Sequence, residues 1–153
     1  MTIEMFNPIF YIFLSYGLGA LGTTLIRYSG NFDKFENHNY ISDNLTKQLG
    51  VLVLGLIIRK TVLGAFNPSL KYKGRRHTEK LEKLKMNMTL AENSHLIAFI
   101  LLQIFIFVLA CIGVESWQLI VYTISNIIFN LYLVFLQQFN KRRIDRLLKL
   151  KVD

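Results

Sequence analysis

The stretch AENSHLIAFILLQIFIF, Ala91 to Phe107, sets a carboxylate, an amide, a hydroxyl and an imidazole directly at the mouth of a long apolar run. The residues after it decide the fold. From Leu96 to Asn140 the one formal charge is Glu115, and Gly113–Ser116 reads as a very short turn. A helix needs roughly 20 apolar residues to cross the hydrocarbon core, so this window predicts two spans, near 95–114 and 117–137, with Trp117 as an interfacial anchor between them. Spans joined by so short a turn form an antiparallel hairpin, and residues equidistant from about Glu115 to Ser116 meet at one level. The level of His95 is then that of Gln137.

Working outward, Thr78 reads as an N-cap with Glu79 in the first turn, and Leu81, Leu84, Met88, Ala91 and His95 recur at helical spacing. A cytoplasmic helix over 78–94 therefore feeds straight into the second span. Beyond the third span, QQFNKRRIDRLLKLK places Ile144, Leu147 and Leu148 on one face with Lys and Arg elsewhere. That is the pattern of a basic C-terminal surface helix, 141–153, lying on an anionic leaflet. Nine Lys or Arg fall in Arg59–Lys85 and six in Lys141–Lys151, which puts the basic loop and the C-terminus on the cytoplasmic side.

Ile9–Ile26 contains no charge and reads as the first span, 9–26, with the N-terminus outside, since no Lys or Arg precedes residue 27. Nothing basic stands before it, so it is read as retained rather than cleaved. Gly17, Gly19 and Gly22 let another helix approach, although strict GxxxG spacing is absent. Residues 27–48 read as a polar connection, with Asn37, Asn39 and Asn44 as turn candidates. The apolar run LGVLVLGLII, Leu49–Ile58, is about half a span, which predicts a re-entrant or interfacial helix near 49–64; a fourth span is the alternative, because Val62–Phe66 resumes the apolar character. Phe66–His77 carries a proline and a glycine and reads as a loop.

The expected fold is an all-α integral membrane protein, one domain over 1–153. It has three transmembrane helices, an amphipathic or re-entrant helix and a basic surface helix, as a multi-pass protein of the cell membrane. With 52% hydrophobic residues and 13% aromatic, the composition agrees. The net charge of +8 is accounted for by the membrane, so nucleic acid is not an expected partner. Cys111 stands alone and cannot form an intramolecular disulfide. No Walker loop, dinucleotide fingerprint, zinc-type cluster or Ser/His/Asp order occurs.

Glu92 and His95 are three apart, so on a helix the carboxylate is placed to reach the imidazole and make it a general base. A second Glu-x-x-His is lacking, so no metal site is expected. Gln137, Gln138, Asn140 and Arg143 gather with Glu92, Asn93, Ser94 and His95 at the mouth of the hairpin. Asn130 and Asn126 lie deeper, four apart on one face; Asn130, on the way down from the mouth, reads as lining a pocket, and Asn126 either does the same or joins helices by hydrogen bonds. The basic block either satisfies the positive-inside rule or docks an acidic or phosphorylated donor.

The arrangement A-E-x-x-H at a membrane boundary, followed by N-x6-Q-x-F-N-x-x-R-x-x-x-L-L, is carried here by Ala91, Glu92, His95, Asn130, Gln137, Phe139, Asn140 and Arg143, with Leu147 and Leu148 after them. It resembles the small membrane acyltransferases typified by the glycosyl-diaponeurosporenoate acyltransferase of staphyloxanthin synthesis, from about Arg59 to Leu148. Leu96 stands where that family commonly has a tryptophan, and aliphatic Leu49–Ile58 replaces an aromatic-rich basic segment. The resemblance implies transfer of a fatty acyl group to a hydroxyl of a glycosylated lipid at the cytoplasmic leaflet. Acyl coenzyme A or an acyl carrier protein is then the donor substrate, and no cofactor is needed. His95 and Glu92 are the expected catalytic residues, and Asn130, Gln137, Asn140 and Arg143 the substrate-binding ones. The other function class is a non-enzymatic membrane subunit or lipid-binding accessory, working as a homo-oligomer or against a larger partner.

Overall fold

The computed structural model describes residues 8–28, 41–60 and 78–149, all helix and short connections. In chain order the helices are α1 (Pro8–Tyr28), α2 (Asp43–Gln48), α3 (Val51–Lys60), α4 (Thr78–Cys111), α5 (Ser116–Asn126), a π-helical turn (Ile127–Leu131) and α6 (Tyr132–Lys149). Two helical stretches, Thr78–Cys111 and Ser116–Lys149, each 34 residues, are long and apolar enough to cross a membrane. The expected loop Phe66–His77, the end of the 49–64 helix, Asn37, Asn39 and residues 150–153 lie outside the described residues.

α4 contains no glycine or proline, so the helix expected over 78–94 and the apolar run that follows it form one helix, as the apolar stripe predicts. It stops at Gly113, whose φ of +84° suits a residue without a Cβ. The Val114 amide donates to the Leu109 carbonyl and the Gly113 amide to that of Ala110. This is the Schellman arrangement, with Val114 and Leu109 buried in the same core cluster. α5 then begins at Ser116, and the Glu115 carboxylate accepts from Trp117 Nε1 rather than capping the helix.

The connection expected over 27–48 contains α2. Ser42 Oγ accepts from the Leu45 amide as an N-cap, Asp43 complements the first turn, and Asn44 is helical instead of forming a turn. Gly50, at φ +68°, separates α2 from α3.

The chain divides into two compact units, with the boundaries inside α4 and α6. The first takes α1 and Asn93–Val134. Leu102, Ile106 and Leu109 recur on one face of α4 and form its core with Val114 and Tyr122, flanked by Leu14 and Leu18 of α1. α1 lies close on α4, since a Cβ on Gly19 would sit 2.6 Å from Ser94 Oγ and one on Gly22 2.4 Å from Ile97 Cγ2. Gly17, by contrast, faces open space. Ile100, Ile104, Phe107, Ile120 and Ile124 point outward and are exposed, a surface suited to lipid rather than water.

The second unit takes residues 41–92 with 135–149. Here the expectation of a separate surface helix over 141–153 is corrected. α6 runs unbroken to Lys149, and Ile144 is buried with Leu81 and Met88, while Leu147 and Leu148 flank the same cluster. The apolar stripe of Thr78–Met88 needs a partner, and the apolar face of the tail supplies it. Arg142 secures α2: Nε donates to Asp43 Oδ1 at 2.6 Å, Nη1 to the Ile41 carbonyl at 2.7 Å and Nη2 to Thr46 Oγ1 at 3.1 Å. The hydrogen bond from Arg142 holds the Asp43 carboxyl below its ordinary range, with Arg146 adding to it, against a smaller upward push from burial.

Candidate functional site

The polar residues of the hairpin form two clusters, one in each unit. In the first, Asn130 is buried on the π-helical turn, and three groups meet its amide. Ser15 Oγ donates to Asn130 Oδ1 at 3.1 Å, and His95 Nδ1 lies 3.3 Å from the same oxygen. Asn130 Nδ2 donates to Asn126 Oδ1 at 2.9 Å. Asn126 Nδ2 in turn donates to the Phe99 carbonyl at 3.0 Å and meets Gln103 Oε1 at 3.5 Å.

The fully buried Asn126 ties α5 to α4, the helix-joining one of the two roles left open for it. π-turns inside α-helices are rare and recur at functional sites. This one carries the asparagine that touches the only half-buried histidine among the described residues.

The second cluster centres on Glu92, which is 1% exposed. Its Oε1 accepts from Gln138 Nε2 at 2.9 Å, and its Oε2 is 2.6 Å from Lys141 Nζ, itself buried. Gln137 and Asn140 are buried in the same unit, and Gln137 Oε1 and Asn140 Nδ2 have no hydrogen-bond partner among the described residues. A buried amide left unpaired costs about 1–3 kcal/mol.

The structure thus redistributes the expected pairings. The spacing predicts that Glu92 orients His95; the imidazole instead has Asn130 as its partner, and the carboxylate has Gln138 and Lys141. An ammonium and an amide outcompete a neutral ring for a buried carboxylate, because only they compensate its desolvation. His95 meets Asn130, whereas Glu92 and Gln138 pair about the expected turn centre. Arg143 is exposed and available, whereas its neighbour Arg142 is committed to α2.

Ser15, Gln103 and Lys141 take part in the two clusters without standing out in the sequence. Ser15 is one hydroxyl in an apolar run and carries no local signal. Lys141 stands one residue after Asn140 in the recognised motif, where its basic neighbours hide it.

Residues 31–150 match the model of a protein family described as glycosyl-4,4'-diaponeurosporenoate acyltransferase. The match includes both polar clusters apart from Ser15 and starts upstream of the Arg59 boundary suggested by the motif alone. No curated protein and no solved structure matches the chain.

Proposed function

Since the chain belongs to the glycosyl-4,4'-diaponeurosporenoate acyltransferase family, we propose that it moves a fatty acyl group from a thioester donor to a hydroxyl of a glycosylated lipid, a carotenoid glycoside being the candidate acceptor, at the cytoplasmic leaflet. α1, the Asn93–Cys111 part of α4 and the helical stretch from Ser116 serve as three spans, with the basic segments cytoplasmic and the N-terminus outside. Acyl coenzyme A or an acyl carrier protein is the donor.

His95 is the general base. It takes the proton of the acceptor hydroxyl as that oxygen attacks the thioester carbonyl, and the tetrahedral intermediate collapses by expelling the thiolate, which receives the proton. Gln137 and Asn140 bind hydroxyls of the acceptor, Gln137 Oε1 by accepting and Asn140 Nδ2 by donating. Asn130 positions the imidazole. Arg143, exposed and cationic, holds donor phosphate or a carrier's acidic surface. Glu92 acts through its pairing with Lys141 and Gln138, maintaining the segment that bears Gln137 and Asn140.

The observation that carries this reading is a half-buried histidine hydrogen-bonded into a buried amide chain, on a chain matched over residues 31–150 to an acyltransferase family. Mass spectrometry of lipids from cells with and without the gene tests it. An acylated glycolipid that disappears with the gene, while its unacylated precursor accumulates, supports transfer. An unchanged lipidome removes it in favour of a non-enzymatic membrane subunit.

A further inference from the structure

We propose that Asn126 and Asn130 form an amide relay that fixes His95 as the Nδ1–H tautomer and leaves Nε2 as the basic nitrogen, with the Phe99 carbonyl as the anchor that sets its direction. The acyl-transfer reading names His95 as a base, and this inference adds which nitrogen reacts and which residues determine it.

The Phe99 carbonyl is the one group in the chain whose role is fixed by chemistry. A backbone carbonyl only accepts, so the atom of Asn126 facing Phe99 at 3.0 Å is its NH2. The oxygen of Asn126 then faces Asn130, at 2.9 Å, and requires the NH2 of Asn130 opposite it. The oxygen of Asn130 is thereby turned to Ser15 and His95, at 3.1 Å and 3.3 Å. An amide oxygen facing a ring nitrogen needs N–H there, so Nδ1 is protonated and Nε2 carries the lone pair.

The opposite orientation fails at one point. If both amides were turned over, Ser15, as a hydroxyl, would adapt by accepting, and His95 would adapt by changing tautomer. Gln103, an exposed amide, would turn over as well. The Phe99 carbonyl would then face the oxygen of Asn126 at 3.0 Å, two acceptors without a proton between them. Every other member of the chain is reversible, so the direction is carried by that carbonyl. Asn126 is fully buried, and water has no access to replace it.

Asn126 and Asn130 are thus positioning residues, and Ser15 fills the second lone pair of the Asn130 oxygen. The test uses the whole protein in detergent or nanodiscs with 15N-labelled histidine, reading the ring tautomer from two-bond 15N–1H correlations. His95→Gln identifies its signals among the three histidines. In the wild type His95 is expected as Nδ1–H. Asn126→Leu removes the anchor and is expected to give a mixture with Nε2–H, and to lower kcat about tenfold to a hundredfold with less change in KM. That is the range for loss of outer partners of ligating histidines.

Asn130→Asp placed in the Asn126→Leu background sets a carboxylate against Nδ1 with no Asn126 oxygen opposite it, and is expected to restore pure Nδ1–H, which a merely structural role of Asn126 would not produce. Nε2–H in the wild type, or pure Nδ1–H retained in Asn126→Leu, overturns the relay. These readings stand apart from acyl transfer: an inactive wild type that shows Nδ1–H sinks the proposed reaction and leaves the relay intact.

Discussion

Separating the buried charges of Glu92 and Lys141 should be among the most damaging changes in the second unit. Their side chains are 1% and 3% exposed, with 2.6 Å between Oε2 and Nζ. Removing one partner of such a pair leaves a charge without compensation and costs about 3–5 kcal/mol. Glu92→Gln retains an oxygen for Gln138 Nε2 and loses only the charge, while Lys141→Met retains the apolar stem. Each single change should therefore cost about 3 kcal/mol or more. The double change, with neither charge left, should cost less than either, so the coupling energy should exceed about 3 kcal/mol.

Lys85 and Asp145 form an internal comparison. They are 2.9 Å apart, but Asp145 is 40% exposed, and breaking that pair should cost about 0–1 kcal/mol. The assay is unfolding in mixed micelles titrated with a denaturing detergent, followed by far-UV circular dichroism. Single variants within about 1 kcal/mol of wild type, or a double variant equal to the sum of the singles, would refute the reasoning.

Gly19→Ala should destabilise the first unit by about 1–3 kcal/mol, because the new methyl meets Ser94 Oγ at 2.6 Å and the Ser94 carbonyl oxygen at 3.0 Å. Gly17→Ala should be close to neutral in the same detergent-unfolding assay, since nothing lies within 4 Å there. Asp43, whose carboxyl is held low chiefly by Arg142, contributes stability that is present above its unfolded pKa of about 3.9 and is lost as pH falls through its lower folded value. Acid titration of Asp43→Asn should show a shallower loss below about pH 4 than wild type. Arg143→Ala should weaken use of an anionic donor without lowering abundance, whereas Arg142→Ala should lower stability first, because its guanidinium binds Asp43, Ile41 and Thr46. Donor titrations at matched expression distinguish the two.

The hairpin was legible because charge is nearly absent from Leu96 to Asn140, and the unbroken α4 because no glycine or proline interrupts its stripe. His95, Asn130, Gln137 and Asn140 were legible as polar groups in an apolar setting. Their partners were not. The i, i+3 rule sees only neighbours on one helix, and Lys141, far along the chain, competes for Glu92 more strongly than a ring at three residues' distance. The π-helical turn at Ile127–Leu131 has no glycine or proline to announce it. α2 rests on Ser42, Asp43 and the clamp from Arg142, and only the first two are local. The tail read as a leaflet-bound helix because its face is amphipathic, and amphipathicity alone does not say whether lipid or another helix covers it.

Conversion of the acceptor lipid by His95→Ala is the most direct measurement. Cells lacking the gene would be supplied with wild type or His95→Ala at equal abundance in the membrane, with folding checked by circular dichroism of the purified proteins, and their glycolipids compared by mass spectrometry. The account expects the acylated glycolipid with wild type and only its unacylated precursor with His95→Ala. A folded, membrane-inserted His95→Ala protein that yields the acylated product at the wild-type level would contradict it.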